Sequence, residues 1–287
     1  MRNSLKGILL IALAALFWST SGIFVRMSQG IDSMVISFYK LFFGSMTLFL
    51  FWFFFKRETK LLPQKKKIHI FTSGISALLL TICFINAIKL STISTAVFLF
   101  YTAPVFMIVL AIIFLKEKIT KVSLFSLFIS LIGIFLISGA KLDSLFSLGI
   151  VFGVMGGFFY SLVLLMGKVL SKDYSAIVLS FWTSFIAALL LIPFFSLVSL
   201  QQMLILMVYG TISAGLAMIC YFEGIKYVKV QVAGILVLLD PILATFWSVF
   251  LFSEPLTIMG IAGDALILAA IIIQVLFVGS KNDSKKA

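Results

Sequence analysis

Ten runs of about 20 apolar residues, the length a helix needs to cross a lipid bilayer, leave this chain few ways to fold. They lie at 7–28, 33–55, 68–90, 94–115, 120–139, 148–170, 175–198, 202–225, 230–252 and 257–279. The breaks between them are short and carry turn chemistry, as in Gly30-Ile31-Asp32-Ser33, Lys141-Leu142-Asp143-Ser144 and Ser171-Lys172-Asp173. None is long enough for a soluble domain; the longest, Lys56 to Lys67, is simply basic. Composition agrees: 62% of residues are apolar and 11% charged, against about half and a quarter in soluble domains. The first run continues through Trp18 to Phe24 without a clear cleavage site, which predicts a first membrane helix rather than a signal peptide. The expected class is an all-α membrane protein of ten transmembrane helices.

The chain also repeats itself. Cys83, Lys89, Pro104 and Glu117 recur without a gap as Cys220, Lys226, Pro241 and Glu254, each 137 residues further on. Ile88/Ile225, Ala96/Ala233, Leu99/Leu236 and Thr120/Thr257 keep the same offset. Lysine, proline and glutamate are rare inside apolar stretches, so their recurrence marks a duplication. The opening parts match at an offset of 142, through Gly7/Gly149, Ile8/Ile150, Phe17/Phe159, Ser19/Ser161 and Ser33/Ser175, with Arg26 against Lys168. Two five-helix repeats, 1–141 and 142–287, are expected.

Orientation follows from the basic residues, because segments rich in lysine and arginine stay in the cytoplasm. With the N-terminus inside, the inner segments hold Arg2, Lys6, Lys56, Arg57, Lys60, Lys65 to Lys67, Lys116, Lys118, Lys121, Lys168, Lys172, Lys226, Lys229, Lys281, Lys285 and Lys286. The outer segments hold Arg26, Lys89 and Lys141. Both termini are therefore expected in the cytoplasm of a multi-pass cell (inner) membrane protein. Five spans per repeat is odd, so the second repeat enters the membrane upside down. The net charge of +12 collects in these polar breaks, which fits topology and anionic lipid rather than nucleic acid.

Inverted repeats build transporters that open to either side in turn, with the substrate near the midplane. Pro104 and Pro241 fall ten or eleven residues into the fourth and ninth runs. Each lacks an N–H and disfavours helix just before it, so the pair predicts a helix break lining the pathway. Asp240 precedes Pro241, roughly 15 Å deep at 1.5 Å per residue. A carboxyl group at that depth marks a functional site and suits a group that binds and releases a proton; its repeat mate is Ala103.

Lys40 and Asp264 lie roughly 10 Å below the outer face. Lysine can snorkel that far, whereas Asp264 needs a lysine or hydroxyl partner. Glu223 stands one turn from Lys226, where an interfacial ion pair is the simpler reading; its mate Asn86 keeps a pathway role open. Trp18, Ser19, Tyr101, Tyr160 and Ser161 could line a cavity, although aromatic stripes more often pack. Gly149, Gly153 and Gly157 with Ser161 form a small-residue face for close helix contact.

Two cysteines and one histidine, His69, exclude a disulfide framework and most metal sites; no metal or cofactor is expected. Enzyme signatures are missing as well. There is no HExxH and no Gly-x-Ser-x-Gly. Ile261-Ala262-Gly263-Asp264 breaks the Gly-x-Gly-Asp run of an intramembrane aspartyl protease.

Ala87-Ile88-Lys89-Leu90, Thr102-Ala103-Pro104-Val105 and Leu115-Lys116-Glu117-Lys118-Ile119-Thr120, with Gly224-Ile225-Lys226-Tyr227, Leu239-Asp240-Pro241-Ile242 and Phe252-Ser253-Glu254-Pro255-Leu256-Thr257, resemble the EamA-type repeat of the drug/metabolite transporter superfamily. Ala15-Leu16-Phe17-Trp18-Ser19 and Phe38-Tyr39-Lys40-Leu41 resemble that repeat's first two helices. The resemblance covers the chain twice. It implies cytoplasmic termini and a central cavity built largely by helices 1, 3, 4, 6, 8 and 9. It also implies proton-driven export or exchange of small metabolites such as amino acids. A ten-helix monomer can already build the whole pathway, so a monomer or a homodimer is expected. Lys40 stands where the family commonly has arginine, and Asp240 matches an acidic residue frequent before this proline. A lipid flippase or channel-like permease is the competing expectation.

Overall fold

A computed structural model describes residues 2–28, 30–55, 61–90, 99–138, 148–253 and 257–283. The start of the fourth expected span, the repeat junction at 141/142, Lys56, Arg57, Lys60, Lys141 and Glu254 lie outside the described residues. Thirteen α-helices follow in chain order. They are α1 (Arg2–Ser19), α2 (Ser21–Met27), α3 (Ser33–Phe55), α4 (Lys67–Leu90), α5 (Ala103–Leu115), α6 (Lys121–Ser138) and α7 (Leu148–Leu170). Then come α8 (Ala176–Leu190), α9 (Leu200–Tyr209), a π-helical segment (Gly210–Leu216), α10 (Ala217–Gly224), α11 (Val230–Leu236), α12 (Leu239–Phe252) and α13 (Ile258–Asp283).

Among the described residues seven stretches are long and apolar enough to cross a membrane: Asn3–Met27, Ser33–Phe55, Lys67–Phe84, Leu148–Leu170, Leu200–Gly224, Val230–Phe252 and Ile258–Phe277. Three shorter apolar helices, Ala103–Leu115, Lys121–Ile137 and Ala176–Leu190, stand where the fourth, fifth and seventh runs were expected. The chain is thus an all-helical, multi-pass membrane protein. Lipid takes the place of water around it, so Phe54, Phe55, Ile113, Phe114 and Phe250 can remain exposed.

Local chemistry sets the helix ends. Ser199 and Gln202 close a capping box at the start of α9, with Gln202 N–H donating to Ser199 Oγ at 3.3 Å. Lys116 ends α5 in the left-handed region at φ 52°. α1 and α2 are one rod interrupted at Thr20. There the Ser19 and Thr20 hydroxyls donate to the Leu16 and Phe17 carbonyls at 2.7 Å each, a back-bond that bends helices. The seventh run stops short at Leu190 because Pro193 follows; a single 3-10 turn, Ile192–Phe194, finishes it.

Both proline sites are helix breaks. Tyr101 and Thr102 form a turn before α5, and Val237 and Leu238 one before α12. Pro104 and Pro241 sit in the first turn of the helix that follows, where the missing N–H costs nothing.

Packing runs between the repeats. α4 packs most extensively on α7, and its mates, α10 with the π-helical segment, pack on α1. α6 packs on α13, α3 on α8, and α5 on α7 as α12 does on α1. The α6–α13 crossing is close enough that a Cβ on Gly133 would stand 2.7 Å from the Gly263 carbonyl oxygen, a small-residue contact of the kind that joins helices in lipid. Neither repeat has a core of its own.

Lys65 and Lys66 contact Tyr174 and Asp173, while Lys118 and Lys168 bond to Gln231 and to the Ile225–Val228 turn; these lysines with Lys172 mark a basic end, and the first residues of α7 and α9, Leu148 and Leu200, lie at the other ends of their rods.

Candidate functional site

A cavity of about 190 Å³ lies in the middle of the bundle and extends toward the opposite end, where Val25, Ile36 and Tyr209 line it. α3 brings Lys40 to it, and the first turn of α12 brings Asp240. The helix break before α12 decides that placement. It turns the N-terminus of α12, and Asp240 with it, into the middle of the bundle. The equivalent break before α5 brings Tyr101 to the same cavity, beside Asp240. Lys40 is close enough to Asp240 to act on it electrostatically.

Most of the rest of the wall is aromatic or aliphatic. Tyr160 stacks on Phe100 with ring centroids 4.9 Å apart, and Phe84 lies 4.7 Å beyond Phe100. Trp18 stands edge-on to Tyr160 at 5.9 Å, held by its indole N–H donating to the Ser213 carbonyl at 3.1 Å. The Lys40 ammonium sits 4.8 Å from the centre of the Tyr209 ring, a cation–π placement that keeps the charge in the cavity. Ser37, Thr81, Thr183 and Ser184 add hydroxyls. Such a cavity offers one cationic pole, one anionic pole and flat apolar faces between them.

Of the ten side chains expected from sequence, Trp18, Lys40, Tyr101, Tyr160 and Asp240 meet in this cavity. The other five do not line it. Ser19 accepts from the Trp247 indole at 2.9 Å, and Ser161 donates back to the Phe158 carbonyl at 2.6 Å. Asn86 donates to the Ile82 carbonyl at 3.0 Å. Glu223 is paired with Lys226 at 2.6 Å and also accepts from the Tyr227 hydroxyl at 3.1 Å. Asp264 lies on α13 beside the Gly133–Gly263 crossing, and its Oδ1 has no partner among the described residues, rather than the lysine or hydroxyl expected for it.

The second and seventh runs contribute to the wall as well as the six helices expected, through Ile36, Lys40, Thr183 and Ser184. Sequence reading also missed Phe84, Phe100, Tyr209 and Ser213. Ser213 lies in the π-helical segment, where its carbonyl accepts from the Trp18 indole; Tyr209 ends the α-helix just before it. Single-turn π geometry often accompanies functional sites, but nothing in Gly210-Thr211-Ile212-Ser213 announces it.

The residue pattern and the duplicated architecture have a known counterpart. Residues 5–139 and 147–276 each match the EamA-like transporter family. The chain belongs to that family. An uncharacterized transporter of Archaeoglobus fulgidus is 29% identical to it over 92% of this chain and 94% of the relative. The riboflavin transporter ImpX of Fusobacterium nucleatum is 25% identical over 95% of this chain and 98% of the relative. A solved crystal structure superposes with a TM-score of 0.80 at 17% identity, over 94% of this chain and 98% of that one, and shares the fold. The EamA-type transporter therefore carries its central cavity where both repeats meet.

Proposed function

We propose that this EamA-type transporter is a secondary exporter or exchanger of small metabolites such as amino acids, working by alternating access across the cell membrane. In this reading ten spans form two inverted five-span repeats, 1–141 and 142–287, and the basic end with both termini faces the cytoplasm. The observation that carries it is the joint placement of Lys40 and Asp240 in one central, otherwise largely apolar cavity. Lys40 takes the substrate's anionic group, as a point charge rather than a bidentate clamp. Asp240 couples transport by binding a proton or a small cation, and the aromatic walls hold the apolar part of the cargo.

The stacked Phe100 and Tyr160 rings favour a second reading. Flat heterocycles would fit the same walls, and the relative named a riboflavin transporter shows that members of this shape are assigned such cargo.

Thermal stabilisation of the purified protein against amino acids, nucleosides, flavins, sugars and cationic drugs tests both, because a ligand that binds only the folded state raises Tm by mass action. Stabilisation by amino acids supports the first reading, and by flavins the second. A blank panel on folded protein points to a lipid-like cargo and overturns both. Uptake into liposomes with and without a pH gradient then separates coupled transport from channel-like permeation.

A further inference from the structure

Toward the basic end a small set of contacts packs α7 against α10 and the turn that follows it. Phe222 and Tyr221 of α10 are almost fully buried. The Phe222 ring lies directly on Gly167 of α7, in the space a Cβ there would occupy. One residue on, the Lys168 ammonium donates to the carbonyls of Ile225 and Val228 at 2.7 and 2.5 Å. These carbonyls belong to the turn between α10 and α11, so one cation ties that hairpin to the end of α7.

The loop after α5 reinforces the tie. Glu117 accepts from the Val230 N–H at 3.4 Å, at the start of α11, and interacts electrostatically with Lys168. Gln231, 2% exposed, donates to the Lys118 carbonyl and accepts from the Thr120 N–H, both at 3.1 Å. Three polar side chains and one aromatic plug therefore join α7, the α10–α11 hairpin and the α5–α6 loop.

We propose that Phe222 seated on Gly167, stapled by Lys168, is the gate at the basic end, and that opening toward that end requires the α10–α11 hairpin to leave α7. The assignment rests on the alternating-access reading above. Repeat symmetry supports it. At the 137 offset Met218, one turn above the plug, corresponds to Thr81, and both line the cavity. Thr81 is partly exposed, whereas Met218 is 8% exposed and lies on the closed side. At the 142 offset Lys168 corresponds to Arg26, so a guanidinium is the natural substitute for its ammonium.

Side-specific thiol labelling tests the gate without any substrate. Cys83 and Cys220 are replaced by alanine, Met218→Cys is introduced, and a membrane-impermeant maleimide is applied from either face of vesicles of known orientation. The expected result is slow labelling from the basic face in this background. Gly167→Ala, Phe222→Ala and Lys168→Met each raise the labelling rate from that face by about tenfold, as a comparable shift in conformer population would. Lys168→Arg stays slow.

Thr81→Cys, placed in the same gate variants, is expected to lose reactivity from the opposite face as they gain it at Met218→Cys. Unchanged labelling of Met218→Cys in all three variants, on protein that still elutes as a folded species, overturns the gate. A rise at Met218→Cys with no loss at Thr81→Cys leaves the plug in place but overturns the alternating exchange, so the two ideas fail separately.

Discussion

Lys40 and Asp240 reach the cavity from different repeats, and neither has a charged mate. At the 142 offset Lys40 corresponds to Trp182, whose indole N–H donates to the Leu61 carbonyl at 2.8 Å near the basic end. At the 137 offset Asp240 corresponds to Ala103, which is fully buried. The duplication seen in the sequence is thus not matched in chemistry: the first repeat supplies a lysine to the cavity and the second an aspartate.

The strongest way to break that comparison is to remove a pole. Lys40 and Asp240 interact electrostatically in the cavity, and a roughly hundredfold loss corresponds to about 2.8 kcal/mol. Asp240→Asn, which keeps the shape and the contact with Tyr101, is expected to lose gradient-driven uptake by that order in liposomes, with a flat pH profile. Full activity with an unchanged profile would remove Asp240 from coupling. Lys40→Met is expected to weaken carboxylate ligands about tenfold, ~1.4 kcal/mol, and neutral analogues hardly at all, read by ligand-dependent Tm. Equal loss for both classes would indicate damage to the fold instead.

Two symmetry-related crossings sharpen the comparison at a smaller scale. A Cβ on Gly44 of α3 would stand 2.5 Å from the Ala214 Cβ, and one on Gly74 of α4 would stand 2.5 Å from the Ile186 Cβ. Both glycines belong to the first repeat, but the partner is small in one crossing and β-branched in the other. Gly44→Ala and Gly74→Ala should each destabilise by about 1–3 kcal/mol through overpacking. Ala214→Gly should rescue the first, because it removes the atom that clashes. Ile186→Val should not rescue the second, since valine keeps that Cβ. Thermal unfolding of the four single and two double variants decides it.

The smallest effect is expected at the basic end. Asp173 accepts from Lys66 at 2.8 Å, and that hydrogen bond holds its carboxyl below the usual carboxylate range. A depressed folded-state value means the contribution is complete above the unfolded value near 3.9 and fades as pH falls through the folded one. Asp173→Asn should therefore lower Tm slightly at neutral pH and leave it unchanged in strong acid. Added salt should shrink even the neutral-pH difference, because the pair is exposed.

Much of this was legible in the amino-acid sequence because lipid imposes a length and a composition on every span. The helices Ser33–Phe55 and Leu148–Leu170 coincide with the runs read from hydropathy, and the paired prolines mark real breaks. Lys40 and Asp240 stood out because charge is rare inside such runs. Ser19, Ser161 and Asn86 misled for a physical reason: in a helix their side chains satisfy themselves on carbonyls a turn away, so polarity alone does not aim them at a cavity. Ser213 was invisible because it lies in a π-helical segment that the sequence pattern does not announce. Phe222 was invisible because one more phenylalanine among 32 carries no signal; only the missing side chain of Gly167 beneath it gives it meaning.

The interleaving of the two repeats reaches back to how the protein is made. A ribosome that has delivered residues 1–138 has released α1 to α6 into the bilayer without the surfaces they rest on, since α1, α4 and α6 find theirs on α10, α7 and α13. The early helices must wait in lipid as separate rods, and each later helix locks one already inserted. Cutting the gene between the repeats should yield two fragments that are unstable alone and restore the fold only when both are present in one membrane.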